Sequence, residues 1–159
     1  MSRILVAYFS ASGVTARAAR EVADAVHADL YEIRPAEPYS AADLDWTDRK
    51  SRSTREMNDP ACRPAMAAPV KDLEQYDTVF VGFPIWWYQA PRIIETFLES
   101  YDFAGKTVIP FATSGSSGMG KTDSILKAVC PAAAWLPGKR LQSNESTAAV
   151  RKWVNTLKI

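Results

Sequence analysis

Hydrophobic residues follow two alternating patterns along the chain. Short continuous apolar runs are typical of strands that are buried on both faces of a sheet. Three such runs occur, at residues 4–9, 78–83 and 107–113. Other segments carry apolar residues at helical spacing, which is typical of helices packed on a sheet. These predicted helices cover residues 14–27, 91–101, 124–130 and 149–157.

Two shorter strands complete the pattern. One is predicted at residues 30–34, and a last strand over 135–141 is interrupted by Pro137-Gly138. Strands that alternate with helices favour a parallel sheet covered by helices on both faces. Five strands in this length predict an α/β doubly wound sheet of order 2-1-3-4-5, in a single domain over residues 1–159.

The segment 36–69 interrupts this alternation. Its Pro, Ala and charged residues predict a helix over 41–57, followed by an irregular path imposed by three prolines. The prolines are Pro60, Pro64 and Pro69. Four basic residues follow Trp46: Arg49, Lys50, Arg52 and Arg55. They form a solvated surface, a basic rim over a ligand, or a docking surface for an acidic partner.

Composition narrows the classes of function. The 159 residues are 47% hydrophobic and 23% charged, as in an ordinary globular domain. A formal charge of +1 argues against a nucleic-acid-binding protein. The first apolar run, Ile4 to Phe9, is too short for a signal peptide or a membrane span, so we expect a cytoplasmic protein without membrane contact. Two cysteines and one histidine predict no metal site.

Hydroxyl-bearing residues follow the first strand. In Ser10-Ala11-Ser12-Gly13-Val14-Thr15, they meet the free N–H groups of a helix N-terminus, which favour anions. Gly13 lets the backbone approach a ligand closely. A plain serine N-cap is the alternative, but it explains only one of the three hydroxyls.

Three adjacent aromatic residues follow the strand at 78–83, within Pro84-Ile85-Trp86-Trp87-Tyr88-Gln89-Ala90-Pro91. Their faces could stack on a flat ring, or one or two of them could simply cap the sheet.

The loop after the strand at 107–113 contains a Walker A pattern at residues 115–122. A nucleoside triphosphatase also needs a strand that ends in Asp to help hold Mg²⁺, and none of the three buried runs does. A flexible Gly/Ser loop around a polar ring edge explains the same residues.

Together, these loops resemble those of the flavodoxin family, in the branch with Y-F-S-x-[ST]-G-x-T and G-x-P-[IV]-W-W motifs. The matching residues are Tyr8 to Thr15, Gly82 to Trp87, and Thr113-Ser114-Gly115. The resemblance implies a non-covalently bound flavin mononucleotide (FMN), no metal and no catalytic side chain. The protein would set the flavin's redox potential through stacking and hydrogen bonds.

The resemblance also implies which residues bind FMN. The phosphate would bind to Ser10, Ser12, Gly13, Val14 and Thr15. The ribityl chain and isoalloxazine would be flanked by Pro84, Ile85, Trp86 and Trp87. The other polar edge of the ring would lie along Thr113, Ser114, Gly115 and Gly118.

Several roles remain open for such a protein. One is electron transfer with a redox partner protein; another is NAD(P)H-dependent reduction of a small quinone-like acceptor. A P-loop nucleotide-binding protein that uses residues 115–122, and a scaffold in which flavin only stabilises the fold, are further alternatives. The chain lacks the strong acidity of electron-carrier flavodoxins, and its oligomeric state is open.

Overall fold

A computed structural model describes residues 3–114, 118–142, 145–157 and 159. The strands are β1 (Ile4–Tyr8), β2 (Asp29–Glu32), β3 (Thr78–Pro84), β4 (Thr107–Thr113), β5 (Ala134–Trp135) and β6 (Lys139–Leu141). The helices are α1 (Val14–Val26), α2 (Arg52–Asn58), α3 (Arg92–Ser100), α4 (Thr122–Val129) and α5 (Thr147–Leu157). None of the helices in these ranges has the length and apolar character needed to cross a membrane.

Within the described residues, the named strands pair in parallel, and the sheet order β2-β1-β3-β4-β5 confirms the predicted topology. The predicted last strand is split into two pieces. The first piece, β5, pairs with the beginning of β4, and the second, β6, pairs with its end. Pro137-Gly138 lies between them, as the sequence suggested.

Alternating side chains of the central strands supply two hydrophobic cores, one on each face of the sheet. Leu5 and Ala7 of β1 face the core that contains the apolar residues of α3 and α4. Val6, between them, faces the core formed with α1 and α5. Helices therefore cover both faces, and the loops at the strand ends stay accessible.

The helix predicted over 41–57 is wrong in length, because only Arg52–Asn58 is helical. The residues before it form turns in which carboxylates accept hydrogen bonds from nearby backbone N–H groups. Asp43 accepts from the N–H of Ser40 at 2.9 Å, and Asp48 accepts from a backbone N–H two residues further on at 2.8 Å. Such local bonds compete with the helical hydrogen-bond pattern and stop the helix from extending towards the N-terminus.

Gly82 leaves space for an aromatic ring in the core beneath α5. A Cβ atom built on Gly82 would lie 2.3 Å from the Phe111 ring, which is fully buried. Phe111 in turn lies edge-on to Trp153 of α5, with ring centres 6.4 Å apart. The ring therefore cannot move aside without disturbing this core.

We expect Gly82→Ala to lower the free energy of unfolding by about 1–3 kcal/mol, because the added methyl group overpacks a filled core. Urea denaturation measures the effect. Gly118→Ala is the matched control, since a Cβ at Gly118 meets no atom within 4 Å and should be almost neutral. Equal unfolding midpoints for the two variants would contradict this account of the core.

Candidate functional site

Three loops lie side by side at one edge of the sheet. They follow β1, β3 and β4, and the carboxyl ends of neighbouring parallel strands lie at the same edge. Backbone hydrogen bonds join these strand ends directly. The N–H of Phe9 donates to the carbonyl of Gly82 at 2.9 Å, and the N–H of Ile85 donates to the carbonyl of Thr113 at 3.1 Å.

The loop after β1 forms the N-terminus of α1. Gly13 is the N-cap residue, with a left-handed φ of 92°, and its N–H donates to the Ser10 hydroxyl at 3.0 Å. The first turn of α1 contains no acidic residue. Its first N–H groups have no partner within the helix and carry a partial positive charge. Ser12 and Gly13 are both exposed, so this helix end offers an anion-binding surface without a cationic side chain.

A buried pair of threonines connects this helix start to the end of β4. The hydroxyl oxygens of Thr15 and Thr113 lie 2.7 Å apart, and both residues are buried. Two hydroxyls that share one hydrogen bond retain one O–H donor between them. The pair therefore fixes the distance between the two loops.

The loop after β3 makes a tight turn with unusual backbone geometry. Trp86 and Gln89 exchange two backbone hydrogen bonds, of 2.9 and 3.1 Å. Between them, Trp87 and Tyr88 have positive φ angles of 49° and 64°. Such two-residue turns favour Asn-Gly, and bulky side chains pay a conformational cost there. Trp87 is 39% exposed and Tyr88 70%, so the strained turn exposes two large aromatic side chains.

Trp86 differs from the two aromatic residues that follow it. It is half-buried, and its ring lies edge-on to Phe9 and to Tyr39, with centres 5.6 and 5.5 Å away. Such edge contacts fix the ring as a wall of the site. Trp86 therefore fits the interpretation that one aromatic residue caps the sheet. Trp87, in contrast, is exposed and keeps a face available to a ligand.

The loop after β4 contacts the same turn from the other side. The Thr122 side chain is fully buried, and its hydroxyl donates to the carbonyl of Tyr88 at 3.4 Å. A Cβ atom at Gly120 would lie 3.1 Å from that carbonyl oxygen. Gly118 is exposed, and Gly115 lies outside the described residues. Next to Thr113, Ser114 donates its N–H to the carbonyl of Leu141 at 3.3 Å.

Tyr39 is a wall residue that the sequence did not predict. Its hydroxyl donates to the carboxylate of Glu56, and the Arg52 guanidinium lies 3.9 Å from its ring centre. Arg52 also pairs with Glu56 at 2.9 Å. Burial, followed by the bond to Glu56, raises the pKa of Tyr39 well above its usual range. Arg52 is therefore a packing partner of Tyr39, not part of a free basic rim.

A buried arginine holds the segment 36–69 against the body of the protein. The guanidinium of Arg92 donates to the carbonyls of Glu56 and Met57 at 3.2 and 2.8 Å, which satisfies the end of α2. It also contacts the carboxylate of Glu95 at 2.9 Å and the side-chain oxygen of Gln89 at 3.3 Å. One side chain thus connects α2, α3 and the aromatic turn.

Comparison with known proteins is consistent with this arrangement. A family model described as flavodoxin matches residues 3–157. A protein of Bacteroides eggerthii, assigned as a flavoprotein, shares 50% identity over 100% of this chain and 99% of its own, with a TM-score of 0.95. A similarly assigned protein of Bacteroides uniformis shares 53% identity over 97% and 98% of the two chains, with a TM-score of 0.94.

A more distant structure has the same fold. The flavoprotein of Lactobacillus acidophilus, solved in complex with FMN, shares 20% identity over 97% of this chain and 99% of its own, with a TM-score of 0.72. A sequence search of curated proteins found no significant match.

Replacing Arg92 tests the connection between α2 and α3. We expect Arg92→Met to lower the free energy of unfolding by about 2–5 kcal/mol, because it leaves two buried carbonyls unsatisfied. It also removes one of the two arginines that pair with the buried Glu95 carboxylate, the other being Arg63 at 3.0 Å. Arg55→Met, on the exposed side of α2, should change it by about 0.5 kcal/mol or less. Guanidinium denaturation of both variants gives the comparison, and similar losses would refute the role assigned to Arg92.

Relieving the strained turn should stabilise the ligand-free protein. We expect the double substitution Trp87→Asn and Tyr88→Gly to raise the free energy of unfolding by about 1–2 kcal/mol, because Asn and Gly adopt positive φ angles readily. Thermal unfolding without ligand measures the gain. Trp46→Asn replaces another exposed tryptophan, at a position without positive φ, and should give no such gain. A loss of stability in the double variant would argue against strain.

Proposed function

The chain belongs to the flavodoxin family, and from this premise we propose that it binds FMN non-covalently and transfers electrons through it. One observation carries the proposal. The anion-binding start of α1 and the strained aromatic turn lie at the same sheet edge. Thr113, at the end of β4, bonds to Thr15 at that helix start and to Ile85 just before the turn. FMN joins a phosphate to a flat aromatic ring, so this combination of groups fits its two ends.

The phosphate is assigned to the start of α1. The residues proposed to hold it are Ser10, Ser12, Gly13, Val14 and Thr15. Ser10 orders the loop through its bond with Gly13, and the exposed Ser12 can donate to a phosphate oxygen. The helix dipole and the unpaired N–H groups favour the phosphate charge, so the site needs no lysine.

The ring is assigned to the space between the second and third loops. Pro84, Ile85, Trp86 and Trp87 would flank it, and Thr113, Ser114, Gly115 and Gly118 would lie along its polar edge. In this arrangement Trp86 excludes water on the inner side, and Trp87 supplies a stacking surface. When bound, FMN supplies the redox chemistry, and the chain positions it and shapes its environment.

The electron donor and acceptor belong to the same proposal. A redox partner protein, or NAD(P)H with a small acceptor, would exchange electrons at the exposed side of Trp87 and Tyr88. The formal charge of +1 supplies no strong field for steering a highly charged partner. We also propose a cytoplasmic location, which suits the free thiols of Cys62 and Cys130.

Residues 115–122 do not favour the alternative of a P-loop nucleotide site. Within the described part of this pattern, the hydroxyl of Thr122 is fully buried and bonded to the carbonyl of Tyr88. In a P-loop the equivalent hydroxyl binds Mg²⁺. Lys121 is exposed at the start of α4.

Titration of the flavin-free protein with FMN tests the proposal. We expect stoichiometric binding with quenching of flavin fluorescence. Trp87→Ala should raise the dissociation constant about tenfold, because it removes one stacking surface. Lys121→Ala is the control and should leave the constant within about twofold, since no role in FMN binding is assigned to this lysine. Failure to bind FMN, or a greater loss in Lys121→Ala, would count against the site, and uptake of ATP instead would revive the P-loop alternative.

A further inference from the structure

A cavity at the end of β2, which we call the β2 cavity, adjoins the proposed phosphate loop. It encloses about 430 Å³ and is lined on one side by Phe9 and Ser10. The end of β2 supplies Glu32 and Arg34, and the segment 36–69 supplies Tyr39. Ser10 is the one lining residue that is also assigned to FMN. The cavity is within the size range of small-ligand sites.

The position of Glu32 indicates a class of ligand. Glu32 is the last residue of β2 and lies opposite Tyr8 in the parallel pairing with β1, so it stands next to the loop that begins α1. It follows Gly13 by 19 residues. In α/β dinucleotide sites, an acidic residue about 20 residues after the phosphate loop accepts hydrogen bonds from ribose hydroxyls. Glu32 has both this spacing and this location.

The walls of the cavity suit a flat heterocycle. Tyr39 forms an apolar wall, and the ring of Phe9, which is buried in the core, packs against it with ring centres 5.6 Å apart. Tyr39 is fixed by its bond to Glu56 and by the guanidinium stacked on it, so the wall is preformed. A rigid aromatic surface binds a planar ring with little loss of conformational entropy.

Arg34 supplies an exposed positive charge at the mouth of the cavity. Its guanidinium pairs with the carboxylate of Glu32 at 2.8 Å, but the side chain is 71% exposed. Exposed ion pairs contribute little stability and exchange readily. Arg34 can therefore turn to a second phosphate group while Glu32 turns to a ribose, and both charges remain paired with polar groups of the ligand.

We propose that the β2 cavity binds the adenosine monophosphate half of flavin adenine dinucleotide (FAD), so that the protein accepts FAD as well as FMN. The flavin-side phosphate of FAD occupies the start of α1, and the second phosphate leads past Ser10 into the cavity. This inference rests on the proposed function, because it uses the same phosphate site. It adds Glu32 and Arg34 as the residues that recognise the adenosine half.

Calorimetric titration of the flavin-free protein with FMN and with FAD tests the inference. We expect the FAD dissociation constant to be lower than that of FMN or within threefold of it. Glu32→Gln should weaken FAD binding about tenfold and leave FMN binding within twofold. Ala36→Trp, which fills the cavity, should weaken FAD at least tenfold with the same small effect on FMN. Glu21→Gln, on α1, is the matched control and should affect neither flavin.

The outcomes separate this inference from the proposed function. Normal FMN binding with FAD weaker by more than threefold overturns the inference and leaves the proposed function intact. If FAD binds tightly and neither Glu32→Gln nor Ala36→Trp weakens its binding, the adenosine lies in solvent. This result also overturns the inference. Failure of both flavins to bind refutes the proposed function, and the inference with it.

Discussion

The parallel register of β1, β3 and β4 is the constraint on which the candidate site depends. Tyr8, the last residue of β1, lies opposite Gly82, and Pro84 lies opposite Thr113. β3 and β4 therefore extend past the end of β1, which leaves a step at the sheet edge. The chain turns into α1 at this step, so the start of a helix lies beside the ends of two longer strands. Alternating burial on the two faces holds this register, because a slip of one residue would move every side chain of a strand into the opposite core, which is packed differently.

The strained backbone and the packing that stabilises the fold lie in different parts of the molecule. Positive φ angles at Trp87 and Tyr88 cost conformational energy, yet the turn makes two backbone hydrogen bonds and contacts Gly120. Arg92 adds a further tie through Gln89. The turn is held by several contacts, yet Trp87 and Tyr88 are poorly suited to positive φ angles. This combination indicates selection for the aromatic side chains that the turn exposes. Stability is supplied instead by the two cores.

Much of the fold could be predicted from the sequence, because its signals are local. Continuous apolar runs identified the central strands, helical spacing identified the helices, and the residues after each strand identified the loops. The role of Tyr39 could not be predicted in this way, since it depends on Glu56, 17 residues away. Arg92 reaches the end of a helix 36 residues earlier. Such long-range pairs leave no periodic pattern in the sequence. Asp43 shows a different limit, because its local hydrogen bond helps to shorten a helix that composition favours.

In the segment 36–69, basic residues that are close in the sequence do not form a single basic surface in the structure. Arg52 is neutralised by Glu56 and stacked on Tyr39. The exposed Arg49 and Lys50 share their surface with nearby aspartates, so the segment presents no single sign of charge. Its interior contacts are specific instead, and they place an aromatic wall against Phe9 and Trp86. We infer that this segment acts by shaping the space beside the phosphate loop, which a field of exposed charges could not do.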